Sequence, residues 1–259
     1  MTPLVLLERD GPVARLVLNR PARHNSLVPE LLRALLAALD ACEADAGVGA
    51  LVLAHAGPSF STGGDVRAFH EQGERIGAYG AELVGLLNRA ILRLAGYAKP
   101  VVAAVDGTVT GGALGLVLAC DIVLVSARAS FTPYYVDVGF SPDGGWTALL
   151  PGFIGAARAR SVQLLNQRIS AEQALAWGMA AKLVASIDMA DQAAATARAV
   201  AAKVPGSVRR TRALLAPDQA RLAEALELER SEFLQQVVSI EAQQGMQRFL
   251  FQGSQAVQR

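Results

Sequence analysis

Charge is what this chain has least of. Charged residues fill 18% of its 259 positions, and acids and bases are scattered to a formal net charge of +1. That leaves no basic face for nucleic acid and no polybasic patch for a membrane surface. Cysteine is nearly missing as well. Cys42 and Cys120 show neither metal-ligand spacing nor the density of a small secreted scaffold, so both read as buried or semi-buried thiols of a reducing compartment. The three histidines, His24, His55 and His70, are too scattered for a metal site. The longest apolar passage, 109–127, is interrupted by Gly111, Gly112 and Asp121, which argues against a membrane span of ~20 unbroken apolar residues. The first ten residues lack a basic segment followed by an apolar stretch, so no export signal is expected and the reading is cytoplasmic.

What the chain does have is apolar mass. Hydrophobic residues make up 52% of it, enough for a sizeable core in one large domain or a domain with an appendage. Two segments stand out within it. Ser59-Phe60-Ser61-Thr62-Gly63-Gly64-Asp65 and Asp106-Gly107-Thr108-Val109-Thr110-Gly111-Gly112-Ala113-Leu114-Gly115 each follow an apolar run that reads as a buried strand. Each places a Gly pair where the backbone must turn sharply and leave N–H groups free. Two such turns together suit an oxyanion hole; taken singly, each also suits a tight turn with close strand–helix packing.

The pattern along the chain alternates strands and helices. Residues 4–19 read as a hairpin turning at Arg9-Asp10-Gly11-Pro12, and Pro29-Glu30 starts a helix that ends near Ala46-Gly47. A strand over 50–54, a helix over 71–96, a strand over 101–105, a short buried helix over 113–119 and a strand over 122–125 follow. Strand, loop and helix recur three times, which predicts a layered α/β core of repeated strand–strand–helix turns. Beyond residue 151 the pattern is mainly helical, over 155–166, 170–178, 189–203, 207–215 and 218–250, with one late strand over 180–184. Leu222, Leu226, Phe233, Val237 and Ile240 mark an apolar face on the last stretch, which would pack on its own core or on a sister subunit.

Six motifs in order carry a resemblance. They are Asn19-Arg20-Pro21 with Asn25-Ser26-Leu27; Phe60-Ser61-Thr62-Gly63-Gly64-Asp65; Lys99-Pro100-Val101 through Gly111-Gly112; Ala119-Cys120-Asp121-Ile122; Gly139-Phe140-Ser141-Pro142-Asp143-Gly144-Gly145; and Arg168-Ile169-Ser170-Ala171-Glu172-Gln173-Ala174 with Trp177-Gly178. The chain resembles the enoyl-CoA hydratase/isomerase, or crotonase, superfamily. The resemblance implies an α/β fold, a spiral of ββα units with a helical C-terminal trimerisation region. It places the core with its acyl-CoA site over 1–195 and the oligomerisation region over 196–259. It further implies a homotrimer or dimer of trimers and an acyl-CoA thioester substrate, with coenzyme A as part of that substrate and no separate cofactor or metal.

By position, the resemblance gives the oxyanion-hole N–H groups to Gly64 and Gly112. The two glutamates with which hydratases of the family add water align with Gly115 and Tyr135, so both are missing. Asp143 aligns with the aspartate used by some enoyl-CoA isomerases, ring-epoxide isomerases and a hydrolytic dehalogenase. Asp143 also fits an N-cap for a helix starting near Thr147. The segments flanking the coenzyme A moiety match Ala22, Arg23, His24 and Thr62, with Arg23 a charge-assisted donor for a phosphate or simply a surface charge. Tyr135, Phe140 and Trp146 are candidates for the acyl pocket, although for Phe140 and Trp146 the core is the slightly preferred reading. Asp137 would share a face with Tyr135 if that segment is extended, and Asp65 reads as a turn or helix cap. Residues 66–85 are expected to shape the acyl pocket. Phe249 matches a position that lines a neighbouring subunit's pocket in relatives, whereas the lysine that follows there is Gln252 here. Three functions stay open: an isomerase shifting a double bond from 3-enoyl to 2-enoyl, a hydratase or hydrolytic enzyme using Asp143 with a water, and a catalytically silent acyl-CoA-binding protein.

Overall fold

Parallel strands covered on both faces need apolar residues on both faces, and the strands here are nearly continuous apolar runs. The computed structural model describes residues 2–256, with side chains through Phe251. The hairpin is β1 (Val5–Asp10) with β2 (Val13–Leu18), turning at Gly11-Pro12, and α1 (Pro29–Ala44) opens on a proline preset for a first helical turn. Three passes of long strand, short strand and helix follow. The first is β3 (Ala50–His55) and β4 (Ser59–Ser61) with α2 (Val66–His70) and α3 (Ile76–Ala95). The second is β5 (Val101–Val105), β6 (Thr108–Thr110) and α4 (Ala113–Leu118). The third is β7 (Ile122–Val125), β8 (Ser130–Thr132) and α5 (Tyr135–Val138).

Helices then dominate: α6 (Leu150–Ile154), α7 (Ala156–Leu164), β9 (Ile169–Ser170), α8 (Ala171–Ala176), β10 (Lys182–Leu183), α9 (Met189–Ala201), α10 (Pro205–Leu215), α11 (Gln219–Val237) and α12 (Ile240–Ala256). The long strands form one sheet, ordered β1-β2-β3-β5-β7-β10, and the short ones a second, β4-β6-β8-β9. This is the repeated ββα winding expected from the sequence. One face of the large sheet sends Leu16, Leu18, Leu51, Leu53, Val101 and Ala103 into the main core. Alternate residues Val17, Ala50, Val52, Val102 and Ala104 meet Met189, Ala193 and Ala197 of α9 on the other face.

Two helices differ from expectation. The stretch over 71–96 becomes a helix only at Ile76, because a tight turn through Gly73, held at φ +54°, separates α2 from α3. The stretch over 218–250 is broken after Val237, where Ser239 Oγ accepts the Ala242 N–H at 3.1 Å and starts α12 afresh. The C-terminal helices are tied to the core. Arg212 of α10 is buried against Asp121 at 2.8 Å and the Leu94 carbonyl at 2.7 Å, and Asn88 of α3 donates to Leu226 O of α11 at 3.0 Å. Residue 195, the expected edge of the core, lies inside α9, which packs on β2, β3, β5 and β7. Among the described residues no helix is long and apolar enough to cross a membrane.

Candidate active site

The two Gly pairs work in the same way. Gly63 and Gly111 take left-handed backbone, with φ +70° and +51°, so the chain reverses and the next residue's N–H is turned away from the strand ladder. The N–H groups of Gly64 and Gly112 donate to no acceptor among the described residues, while Gly63 and Gly111 donate to Ser61 Oγ and Thr132 O. Trp146 Nε1 holds the Gly111 carbonyl at 2.7 Å, fixing the second turn from behind. Gly64 and Gly112 both line a cavity of about 660 Å3.

Ala22, Arg23, His24, Thr62, Tyr135, Phe140, Asp143 and Phe249 line the same cavity, so the structure brings together ten of the eleven residues singled out in the sequence. Trp146 is the exception. It is fully buried and absent from the lining, and its indole supports Gly111 from the core side instead of facing a ligand. Phe249 lines the cavity of its own chain, with its ring edge-on to Tyr134 at 6.0 Å. The side chain of Gln252 lies outside the described residues. The expected pocket segment is represented by Val66, Arg67, Phe69 and Leu83.

Two carboxylates line the cavity, and their surroundings are opposite. Asp65 caps α2 through Ala68 N and is bound by Arg20 at 3.0 Å, by Arg23 at 3.0 Å to each oxygen, and by Ser26. Burial pushes its pKa up, but the two guanidiniums outweigh that and hold it below the usual value. Asp65 is thus a structural anion that ties the loop carrying Ala22, Arg23 and His24 to the first Gly turn. Asn25, at φ +52°, locks that loop further by donating to Ala56 O and Ser59 O at 2.8 Å.

Asp143 has no cation partner among the described residues. Its Oδ1 accepts the Tyr135 hydroxyl, its Oδ2 accepts nothing among the described residues, and the side chain is buried against Gly112. Burial, opposed by the Tyr135 hydrogen bond and reinforced by the Glu229 charge, pushes its pKa up to about 7. Burial, together with the Asp143 charge, raises the Tyr135 phenol well above its ordinary value, so it remains a donor. Asp143 does not act as an N-cap: the next helix, α6, begins only at Leu150. Asp137 sits on a helical turn with Tyr135, not an extended segment, and points to solvent, where Asn166 donates to it. The two do not share a face.

Glu229, which sequence reasoning passed over, holds the Asp143 turn in place. From α11 it accepts Gly145 N, Thr147 N and Thr147 Oγ1 at 2.7 Å and Ala148 N at 2.8 Å. Burial raises its pKa, with those donors pulling it back. A signal was present: Glu229 stands between Leu226 and Phe233 on the apolar stripe of the last helical stretch, where an acid needs a buried partner.

Gly115 is closed to any side chain. A Cβ there would overlap Gly144 O and Ile91 Cδ1, because the 143–145 turn is packed on α4; a Cβ on Gly144 would in turn collide with Gly112. The turn that delivers Asp143 therefore occupies the space a side chain at 115 would need.

Two free backbone N–H groups at an apolar cleft, beside one buried carboxyl titrating near neutrality, define a site that can stabilise a developing oxyanion while a proton moves. The winding around it is the crotonase fold. The family model for enoyl-CoA hydratase/isomerase matches residues 8–256, and the chain belongs to that family. It is 36% identical to a 1,2-epoxyphenylacetyl-CoA isomerase from Escherichia coli, over 78% of this chain and 77% of that protein. It is 31% identical to a short-chain-enoyl-CoA hydratase from Clostridium acetobutylicum, over 79% and 78%. A crystal structure of an enoyl-CoA hydratase/isomerase from Xanthobacter autotrophicus superposes with a TM-score of 0.85 at 32% identity, covering 92% of this chain and 90% of that one.

Proposed function

We propose that this protein is an acyl-CoA isomerase that moves a double bond from the 3,4 to the 2,3 position of an enoyl thioester. The observation that carries the reading is that, among the described residues, one carboxyl in the cavity has free capacity: Asp143 is uncompensated by a cation there, whereas Asp65 is saturated by Arg20 and Arg23. The steric closure at Gly115 supports the same reading, since addition of water by two carboxylates has no room for its second acid there.

In this mechanism the thioester oxygen accepts the Gly64 and Gly112 N–H groups, each such donor contributing roughly 3–4 kcal/mol to the enolate-forming step. Asp143 takes the C2 proton on the oxygen that Tyr135 leaves free. The electron pair of that C–H bond delocalises over the dienolate and the thioester oxygen. Asp143 then returns the proton at C4 as the double bond closes between C2 and C3, so atoms and charge balance. Tyr135 keeps its proton throughout and fixes the carboxyl's rotamer. Arg23, half-exposed at the mouth, retains Nε and Nη1 for a phosphate of the coenzyme A moiety. Coenzyme A enters only as part of the substrate, and the proton shuttle needs neither a metal nor a redox cofactor.

The test uses purified wild type and Asp143→Asn with 3-enoyl-CoA and 2-enoyl-CoA of several chain lengths, resolving products by mass and chromatography. Migration of the double bond without mass change, lowered at least ~100-fold in Asp143→Asn, is the expected outcome. A gain of one water in wild type would replace the isomerase with a hydratase. Turnover in Asp143→Asn within tenfold of wild type would remove Asp143 from the reaction.

A further inference from the structure

We infer that the acyl group taken by this site carries a ring bonded to C2 of the thioester, as in an arylacetyl or cycloalkenylacetyl group, in preference to a long linear chain. This rests on the acyl-CoA reading above and adds the substrate class. Three phenylalanines from three separate elements meet in the cavity: Phe69 of α2, Phe140 beyond α5 and Phe233 of α11. Their centroids form a closed triangle, 5.7 Å from Phe69 to Phe140, 5.8 Å from Phe69 to Phe233 and 5.4 Å from Phe140 to Phe233. The rings are inclined by 56°, 65° and 72°, so none is stacked flat on another; Phe69 and Phe233 are buried and back the half-buried Phe140, the ring with most surface open to the cavity.

The triangle is rigid and close to the chemistry. Tyr79 backs Phe69 edge-on at 5.0 Å, and Gly80 lets the rings approach, since a Cβ there would sit 3.3 Å from Phe233 Cε1 and 3.6 Å from Phe69 Cε1. A Cβ on Gly64 would lie only 3.0 Å from Phe69 Cε2. The aromatic wall therefore begins one van der Waals contact away from the N–H that holds the thioester oxygen. Carbons just beyond the carbonyl already meet it. A flat ring gains edge-to-face contact against such a wall, a contact that a linear chain cannot make.

The experiment is calorimetric titration of the wild-type protein with phenylacetyl-CoA, octanoyl-CoA and free coenzyme A. The two esters carry equal numbers of acyl carbons and neither has a double bond to move. Phenylacetyl-CoA is expected to bind about three- to tenfold more tightly than octanoyl-CoA, the range of one edge-to-face contact. Phe140→Leu, at the half-buried ring, is expected to bring that ratio toward one. Phe233→Leu repeats the test from another element, so the result does not hang on one variant's folding. Octanoyl-CoA binding as tightly as phenylacetyl-CoA, or a ratio unchanged in both variants, overturns the ring preference and leaves the thioester reading standing. Neither ester binding more tightly than free coenzyme A overturns both.

Discussion

Burial lifts Asp143 to about 7, which has one consequence for rate and another for stability. As a general base it must start ionised, so kcat/KM is expected to rise through about pH 7 and level off above it; a profile flat from pH 5 to 9 would contradict the role. The sign for stability is the reverse. The folded pKa lies above the unfolded value of ~3.9, so between these pH values the native state holds a proton that the unfolded chain has released. Native stability from this residue is then greatest at acidic pH and is lost as pH rises through about 7. Asp143→Asn removes a buried charge, and its melting temperature should exceed that of wild type at pH 8, with the gap closing by pH 5. Asp65 runs the other way: its depressed pKa gives stability that is present above ~3.9 and lost on acidification below it.

At the scale of elements, the turn that carries Asp143 belongs as much to α11 as to its own sequence neighbours. Glu229→Ala would leave three N–H groups and one hydroxyl around 145–148 without their acceptor. The expected cost is about 2–3 kcal/mol, read as a melting temperature lower by roughly 5–10 °C, with kcat falling more than KM rises. An unchanged kcat would show that Asp143 is positioned without it. Gly115→Glu, which formally restores a hydratase position, is expected to yield no hydration and to lower the melting temperature by about 5–10 °C through overpacking. Much of this level was legible beforehand. Both Gly turns and the recurring strand–strand–helix winding could be read from local motif and period, because turn chemistry and strand burial are written in adjacent residues; Asp143 came from the family resemblance. Glu229 lies 86 residues from Asp143 in the chain, and no local pattern links an acid on one helix to amides of a distant turn. The three-residue strands β4, β6 and β8 are too short to show a period, and the break at Ser239 is hidden because apolar spacing continues across it.

For the whole molecule, apolar side chains left outside the core are the main feature still to be accounted for. Leu214 and Leu215 of α10 are 87% and 80% exposed, Leu228 of α11 is 65% and Ile240 of α12 is 71%. Such surface on the C-terminal helices supports the homotrimer or dimer of trimers proposed from the family resemblance. Sedimentation at micromolar protein is expected to give three or six times the chain mass, and replacing Leu214 and Leu215 together by Glu to shift it toward one. A wild-type monomer would end that assignment. Which side chains the last helices would share with a neighbour was not legible, since periodicity reports an apolar face but not what covers it.

The packing of Gly144 on Gly112 and of the same turn on Gly115 has a meaning beyond the present-day enzyme. If the one-carboxylate mechanism proposed above holds, it means that a second acid cannot simply be added at 115. An acid at 115 would meet the backbone of the turn that carries Asp143, so it could be accommodated without loss of stability only if that loop moved with it. On the one-carboxylate mechanism proposed above, the contact of a few glycines thus bears on the reaction, while the side chains lining the rest of the cavity can change independently of it.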